Sequence, residues 1–178
     1  GGATTAQLVT AAEGGKLITP PATALAVSEG GVGNALVVPY FNAQNGNMTV
    51  LHVTNTDISN GKVVKVRFRS AANSDDLLDF QLFLSPGDVW TAAVVADADG
   101  LSQLVTSDNT CTVPHIAKNT FIPFRKGNLP AFAADQNKLT REGYVEIFNI
   151  ADITNAKAWT TTGAVGAAGS GTEFSPLY

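Results

Sequence analysis

Charge is scarce in this chain. Asp, Glu, Lys and Arg make up 15% of its 178 residues, against about a quarter in an ordinary soluble domain. The formal net charge is −4, and the longest basic cluster is Lys62, Lys65, Arg67 and Arg69. A nucleic-acid surface needs a broad positive footprint, so nucleic acid is not an expected partner. No apolar run approaches the about 18 residues of a membrane-spanning helix, so no membrane span is expected. Histidine occurs twice and cysteine once. The G-x-S-x-G, H-E-x-x-H and P-loop patterns do not occur. With so little material for a nucleophile–base pair, the sequence predicts a protein that is not an enzyme and carries no cofactor.

What is present is β-patterning. In "VKVRFRSAANSDDLLDFQLFLSPGDVW", Val64–Trp90, the residues Val64, Val66 and Phe68 alternate with Lys65, Arg67 and Arg69. Leu78, Phe80, Leu82 and Leu84 alternate with Asp79, Gln81 and Phe83. This period of two marks half-buried strands. "ALVVPYF" (35–41), "MTVLHVTN" (48–55), "VWTAAVVAD" (89–97), "LSQLVTS" (101–107) and "GYVEIFNIA" (143–151) read as further strands. Asn45-Gly46, Asn60-Gly61 and "SPGD" (85–88) mark turns. Turns every 8 to 12 residues suggest a β-meander and an all-β, antiparallel β-sandwich, Ig-like or jelly-roll-like. "FAADQNKLTREG" (132–143) is the best candidate for a short helix, and "ITNAKAWTT" for a last strand or short helix.

The expected organisation is an extended N-terminal arm over 1–33, a β-sandwich domain over 34–162, and a Gly/Ala-rich linker and tail over 163–178. The arm is broken by Pro20-Pro21 and carries two apolar patches. From these, Gln7, Leu8, Val9 and Thr10, then Leu17, Ile18 and Thr19, are candidates for strands added to another subunit. The beginning "GGATTAQLVT" reads as a mature end left by cleavage of a leader.

Each candidate for chemistry has a plainer alternative beside it. His52, Cys111 and His115 contain part of a cupredoxin-type copper set, but no Met follows His115 as that geometry wants; the alternative is a core cysteine and two unrelated histidines. Asp97 and Asp99 in "DADG" are oxygen ligands of the type calcium takes, without the further acidic ligands of a full loop. Asp75, Asp76 and Asp79 are carboxylates that a glycosidase could use; as neighbours on one turn they are expected instead to pair with Lys65, Arg67 and Arg69 across the strands. Trp90, Trp159, Tyr40, Tyr144 and Tyr178 are the residues of a conceivable sugar-stacking platform, although Trp90 reads as core. Asn47-Met48-Thr49 is a glycosylation sequon. An odd cysteine in a secreted chain invites a partner elsewhere, so Cys111 is also a candidate for a disulfide to a residue beyond Tyr178.

The run "GNALVVPYFNAQNGNMTVLHVTNT…KVVKVRFRSAANSDDLLDFQLFLSPGDVWTA…TSDNTCTVP", Gly33–Pro114, resembles the N-terminal β-domain of large uncharacterised bacterial cell-surface proteins. The resemblance implies export, a surface role and a partner for Cys111 further along the chain; it brings no active-site residues. The expected function is that of a secreted structural subunit, extracellular or at the cell surface. It would assemble with copies of itself into a filament or surface layer through the N-terminal arm. The alternative is an adhesin module that binds a surface glycan or a protein.

Overall fold

The computed structural model describes residues 27–28 and 30–153, with the backbone of 12–13 and 16–17. The strands are β1 (Ala12–Glu13), β2 (Lys16–Leu17), β3 (Ala35–Asn42), β4 (Thr49–Thr54), β5 (Gly61–Ser70), β6 (Asp76–Leu84), β7 (Val89–Ala96), β8 (Ser102–Val105), β9 (Thr112–Val113), β10 (Ile122–Pro123) and β11 (Glu142–Ile153). There is no α-helix among the described residues. Two antiparallel sheets pack into a β-sandwich, one ordered β3-β11-β5-β6-β9 and the other β10-β8-β7-β4. The all-β sandwich expected from the sequence is therefore the fold.

Alternation decides which side chains go inside. Val64, Val66 and Phe68 of β5 and Leu78, Phe80, Leu82 and Leu84 of β6 are buried, as are Trp90, Ala92 and Val94 of β7 and Val145 and Ile147 of β11. The partners of these residues along each strand point outward. Leu77 breaks the pattern: strict alternation puts it outside, yet it is fully buried. The ladder shifts there, since Phe68 pairs with Leu78 but Arg69 pairs with Asp76. The bulge turns the extra residue inward.

The meander expectation needs correction. Within the sandwich only β5–β6 and β7–β8 are consecutive strands paired in one sheet. The chain changes sheet between β3 and β4, between β4 and β5 and between β6 and β7. Asn45 and Gly46 do form a tight turn with positive φ at both positions, but no ladder joins β3 to β4. The expected helix at 132–143 is also corrected: it holds one 3-10 turn, Lys138–Thr140, and Glu142 already belongs to β11. Asp135 Oδ1 accepts from the backbone N–H groups of Asn137 and Lys138, a local closure that competes with helical hydrogen bonding. The last strand runs on to Ile153; the rest of "ITNAKAWTT" and the expected tail lie outside the described residues.

The two ends of the sandwich differ. At one end Phe41, Phe68 and Phe124 form a fully buried cluster with ring centroids 5.2–6.0 Å apart. At the other end the sheets are lined by smaller aliphatic side chains, and the site described next opens there.

Candidate functional site

A groove of about 570 Å³ opens between the sheets at the start of β3. Leu36, Val53, Val64, Leu84 and Ile147 form its apolar wall. Its flanks are two edge strands, β3 of the larger sheet and β4 of the smaller. They meet at the far end, where Thr49 Oγ1 accepts from the backbone N–H of Asn42 and donates to its carbonyl. Towards the groove they separate, each bonded only to its own sheet.

An edge strand exposes unpaired N–H and C=O groups, and proteins normally blunt it with proline, charge, brevity or a bulge. Of the four edge strands of the two sheets, three carry such devices. β9 and β10 are two residues long, with Pro114 after one and Pro123 within the other. β3 contains Pro39, at a register shift where Val38 pairs with Val145 but Phe41 with Gly143. β4 has none: its six residues, TVLHVT, hold no proline and no Asp, Glu, Lys or Arg, and its ladder with β7 is unbroken.

The rim of the groove is polar and tightly ordered. Asn55 donates to the carbonyls of Asn60 and Ser85, both at 2.8 Å. The Asn149 side-chain amide donates to Asn34 Oδ1 at 3.0 Å, and its backbone N–H donates to the Asn34 carbonyl at 2.8 Å. Lys62 lies between Asp57 and Asp152, at 3.0 and 2.8 Å. Burial alone would raise the Asp57 carboxyl pKa. Hydrogen bonds from the Asn60 side chain, the Ser59 backbone, Lys62 and the Asn60 backbone outweigh that and hold it well below the usual carboxylate range.

A pH dependence follows. In the unfolded chain Asp57 takes up its proton near about pH 4; in the folded protein it does so only at lower pH. The folded state therefore binds fewer protons in that window. The stability Asp57 contributes is complete above about pH 4 and is lost as pH falls towards the folded value. Asp79, lowered first by its hydrogen bond from Lys65 against the opposing effect of burial, acts in the same sense. Urea midpoints are expected to hold level from neutral pH to about pH 5 and then to decline. The decline should be shallower in Asp57→Asn, and an equal slope in that variant would contradict the assignment.

The carboxylates weighed for glycosidase chemistry take the plainer course. On the outer face of the larger sheet Lys65 pairs with Asp79, Arg67 and Arg69 with Asp76 at 3.3 Å each, and Arg69 with Glu146 at 3.0 Å. Asp75 Oδ1 accepts from the Asp76 backbone. These groups form a surface network between β6, β5 and β11. The outward residues of the other sheet contrast with it: Val50, His52 and Thr54 on β4 and Val89, Thr91, Ala93 and Val95 on β7 include no Asp, Glu, Lys or Arg.

The copper set is not brought together. His52 is exposed on β4, 3.2 Å from Thr91 Oγ1. Cys111 and exposed His115 flank β9, at the edge of the other sheet remote from β3. Cys111 is half-buried rather than a core residue, and its carbonyl accepts from Phe83. In the calcium pair, Asp97 Oδ1 caps its own turn, accepting from the N–H groups of Asp99 and Leu101, both at 2.9 Å. Among the described residues no group of three or more His, Cys, Asp or Glu could hold a metal ion.

Of the sugar-stacking candidates, Trp90 is fully buried against Phe80 and so belongs to the core; Tyr40 is exposed, Tyr144 is half-buried, and Trp159 and Tyr178 lie outside the described residues. Of the arm candidates, Leu17 pairs with Ala12 in the two-residue ladder of β1 and β2. Gln7, Leu8, Val9, Thr10, Ile18 and Thr19 lie outside the described residues. Among the described residues no helix is long and apolar enough to cross a membrane.

A scan against protein-family models, a search of curated proteins and a search of solved structures each returned no match. The groove itself was missed by sequence reasoning. Leu36, Val53 and Ile147 look like ordinary strand residues; that they border an opening depends on β3 and β4 joining different sheets. The available signal was the absence of proline and charge in "TVLHVT".

Proposed function

We propose that this protein is a structural subunit that assembles with copies of itself by strand addition. The N-terminal arm of one copy lies along the free edge of β4 in the next and places alternate apolar side chains in the groove. The observation that carries this reading is the unprotected edge of β4 beside an apolar opening. The arm joins its own domain at the same place, since Gly31, Val32, Gly33 and Asn34 line the groove. Residues 1–26, if the β1–β2 ladder opens and they extend at about 3.3 Å each, reach roughly 85 Å, far enough for a neighbouring molecule. Such a contact is head-to-tail and does not close on itself, so it propagates. The uncharged outer face of the β4 sheet supports further contact between copies. A filament or coat of this kind belongs outside the cell or on its surface, in keeping with the resemblance to bacterial cell-surface proteins.

Sedimentation and electron microscopy of the full chain test the reading. Regular polymers are expected from the full chain, and monomers from a chain lacking residues 1–21. Leu36→Asp, which puts a charge on the half-buried groove wall, is expected to give monomers with the arm intact. A full chain that stays monomeric would refute assembly and would point to an arm folded into its own groove.

A further inference from the structure

A second pocket, of about 350 Å³, lies at the opposite end of β3 and β4 from the groove, beside the Asn45-Gly46 turn. Arg141 reaches into it from the residue before β11. Most cations of the sandwich have a counter-charge: Lys62, Lys65, Arg67, Arg69, Arg125 and Lys138 all form ion pairs, and Lys126 donates to Asn137. Among the described residues Lys118, which is exposed, and Arg141, which is half-buried, have no such partner. Arg141 Nε is itself buried without a hydrogen-bond acceptor.

The guanidinium is held against Gly100. A Cβ on that residue would stand 3.6 Å from both Cζ and Nη1 of Arg141. Gly100 has φ +78° and closes the turn that Asp97 Oδ1 caps. The guanidinium thus lies against a turn and not in an ion pair. Nε is closed to solvent, so the pocket meets the guanidinium through its outer nitrogens, and a half-buried guanidinium without an ion pair favours a planar anion that can take a bidentate bond. The rest of the pocket wall says which anion. Asp97 also lines it, and so do Asn45, Asn47 and Met48. A simple inorganic anion would be repelled by Asp97. A ligand with hydroxyl groups as well as a carboxylate meets both: hydroxyls donate to Asp97 and exchange hydrogen bonds with the two amides, and Met48 covers an apolar ring face.

We propose that this pocket binds a hexuronic acid residue of an acidic polysaccharide, with Arg141 on its carboxylate and Asp97, Asn45 and Asn47 on its hydroxyls. The site is separate from the β3–β4 groove and does not depend on assembly.

Saturation-transfer difference NMR on the full chain tests it, because that measurement works for weak ligands on monomers and polymers alike. Glucuronate and galacturonate are the probes, with glucose, acetate and inorganic phosphate as comparisons. Saturable transfer to the uronate ring protons is expected, with glucose and acetate at least about tenfold weaker. Arg141→Lys keeps the charge but loses the planar fork, and is expected to weaken uronate binding at least about tenfold. Asn47→Asp, at an exposed position, adds a like charge at the rim and should weaken it similarly. No transfer to either uronate would overturn the proposal. So would equal transfer to glucose, displacement by acetate or phosphate as effective as by uronate, or full binding in a folded Arg141→Lys or Asn47→Asp protein.

Discussion

Gly143→Ala is expected to destabilise the protein by about 3 kcal/mol or more, at the upper end of overpacking effects. Gly143 sits on β11 between two strands, paired with Phe41 of β3 on one side and Ser70 of β5 on the other. A Cβ there would lie 1.8 Å from the carbonyl oxygen of Arg69 and 2.9 Å from Cε1 of Phe41. The first contact is with backbone, so no rotamer change relieves it. The β11 and β5 strands would have to move apart at the centre of the larger sheet. The measurement is urea unfolding, read as a fall in midpoint at unchanged m. Phe41→Leu in the same chain removes the ring contact but not the backbone one, so it should fail to rescue. A Gly143→Ala protein within about 1 kcal/mol of the parent would mean that the sheet gives way locally at little cost.

Phe68→Ala is expected to lose about 4 kcal/mol, within the range for truncating a buried aromatic ring. Phe68 is fully buried and its ring contacts both Phe41 of β3 and Phe124, which follows β10 of the other sheet. Its removal takes away the transfer free energy and two aromatic contacts, and leaves a cavity that rigid strands fill poorly. Phe68→Leu keeps most of the volume and should cost about 1.5 kcal/mol or less. Because Gly143 touches Phe41, Phe68→Ala and Gly143→Ala share a neighbour. Their double variant should depart from additivity, which a thermodynamic cycle would measure. If Phe68→Ala and Phe68→Leu cost the same, the end of the sandwich they close is not well packed.

The Lys65, Arg67, Arg69 row shows how far patterning alone reaches. Once Val64, Val66 and Phe68 are buried, a period of two forces the three cations to the outside, where Asp76 and Asp79 of the paired strand meet them. The third contributor, Glu146, is 77 residues from Arg69 and could not be paired from the sequence. β11 lies between β3 and β5, and that placement is a tertiary choice. The register shifts beside Leu77 and Pro39 escape the pattern for a related reason. Bulges shift register by one residue, and neither an apolar pair nor a proline in a strand says by itself where the shift will fall. The expected helix at 132–143 was drawn from helix-favouring residues, and the closure at Asp135 overrode them.

The sequence by itself determined that the chain builds a β-sandwich, which residues of β5, β6 and β7 form its core, and that Trp90 belongs there. These follow from local alternation, because a strand with one apolar face has only one way to bury it. Tertiary structure alone decided which edges stay open, that the sheets part beside β4, that His52 and Cys111 stand on different sheets, and that Arg141 lines a pocket without forming an ion pair. Each of these depends on which sheet a strand joins after a turn. The turns at Asn45-Gly46 and Ser85–Asp88 suit a hairpin and a crossover equally well, and only the packing of the whole chain selects between them.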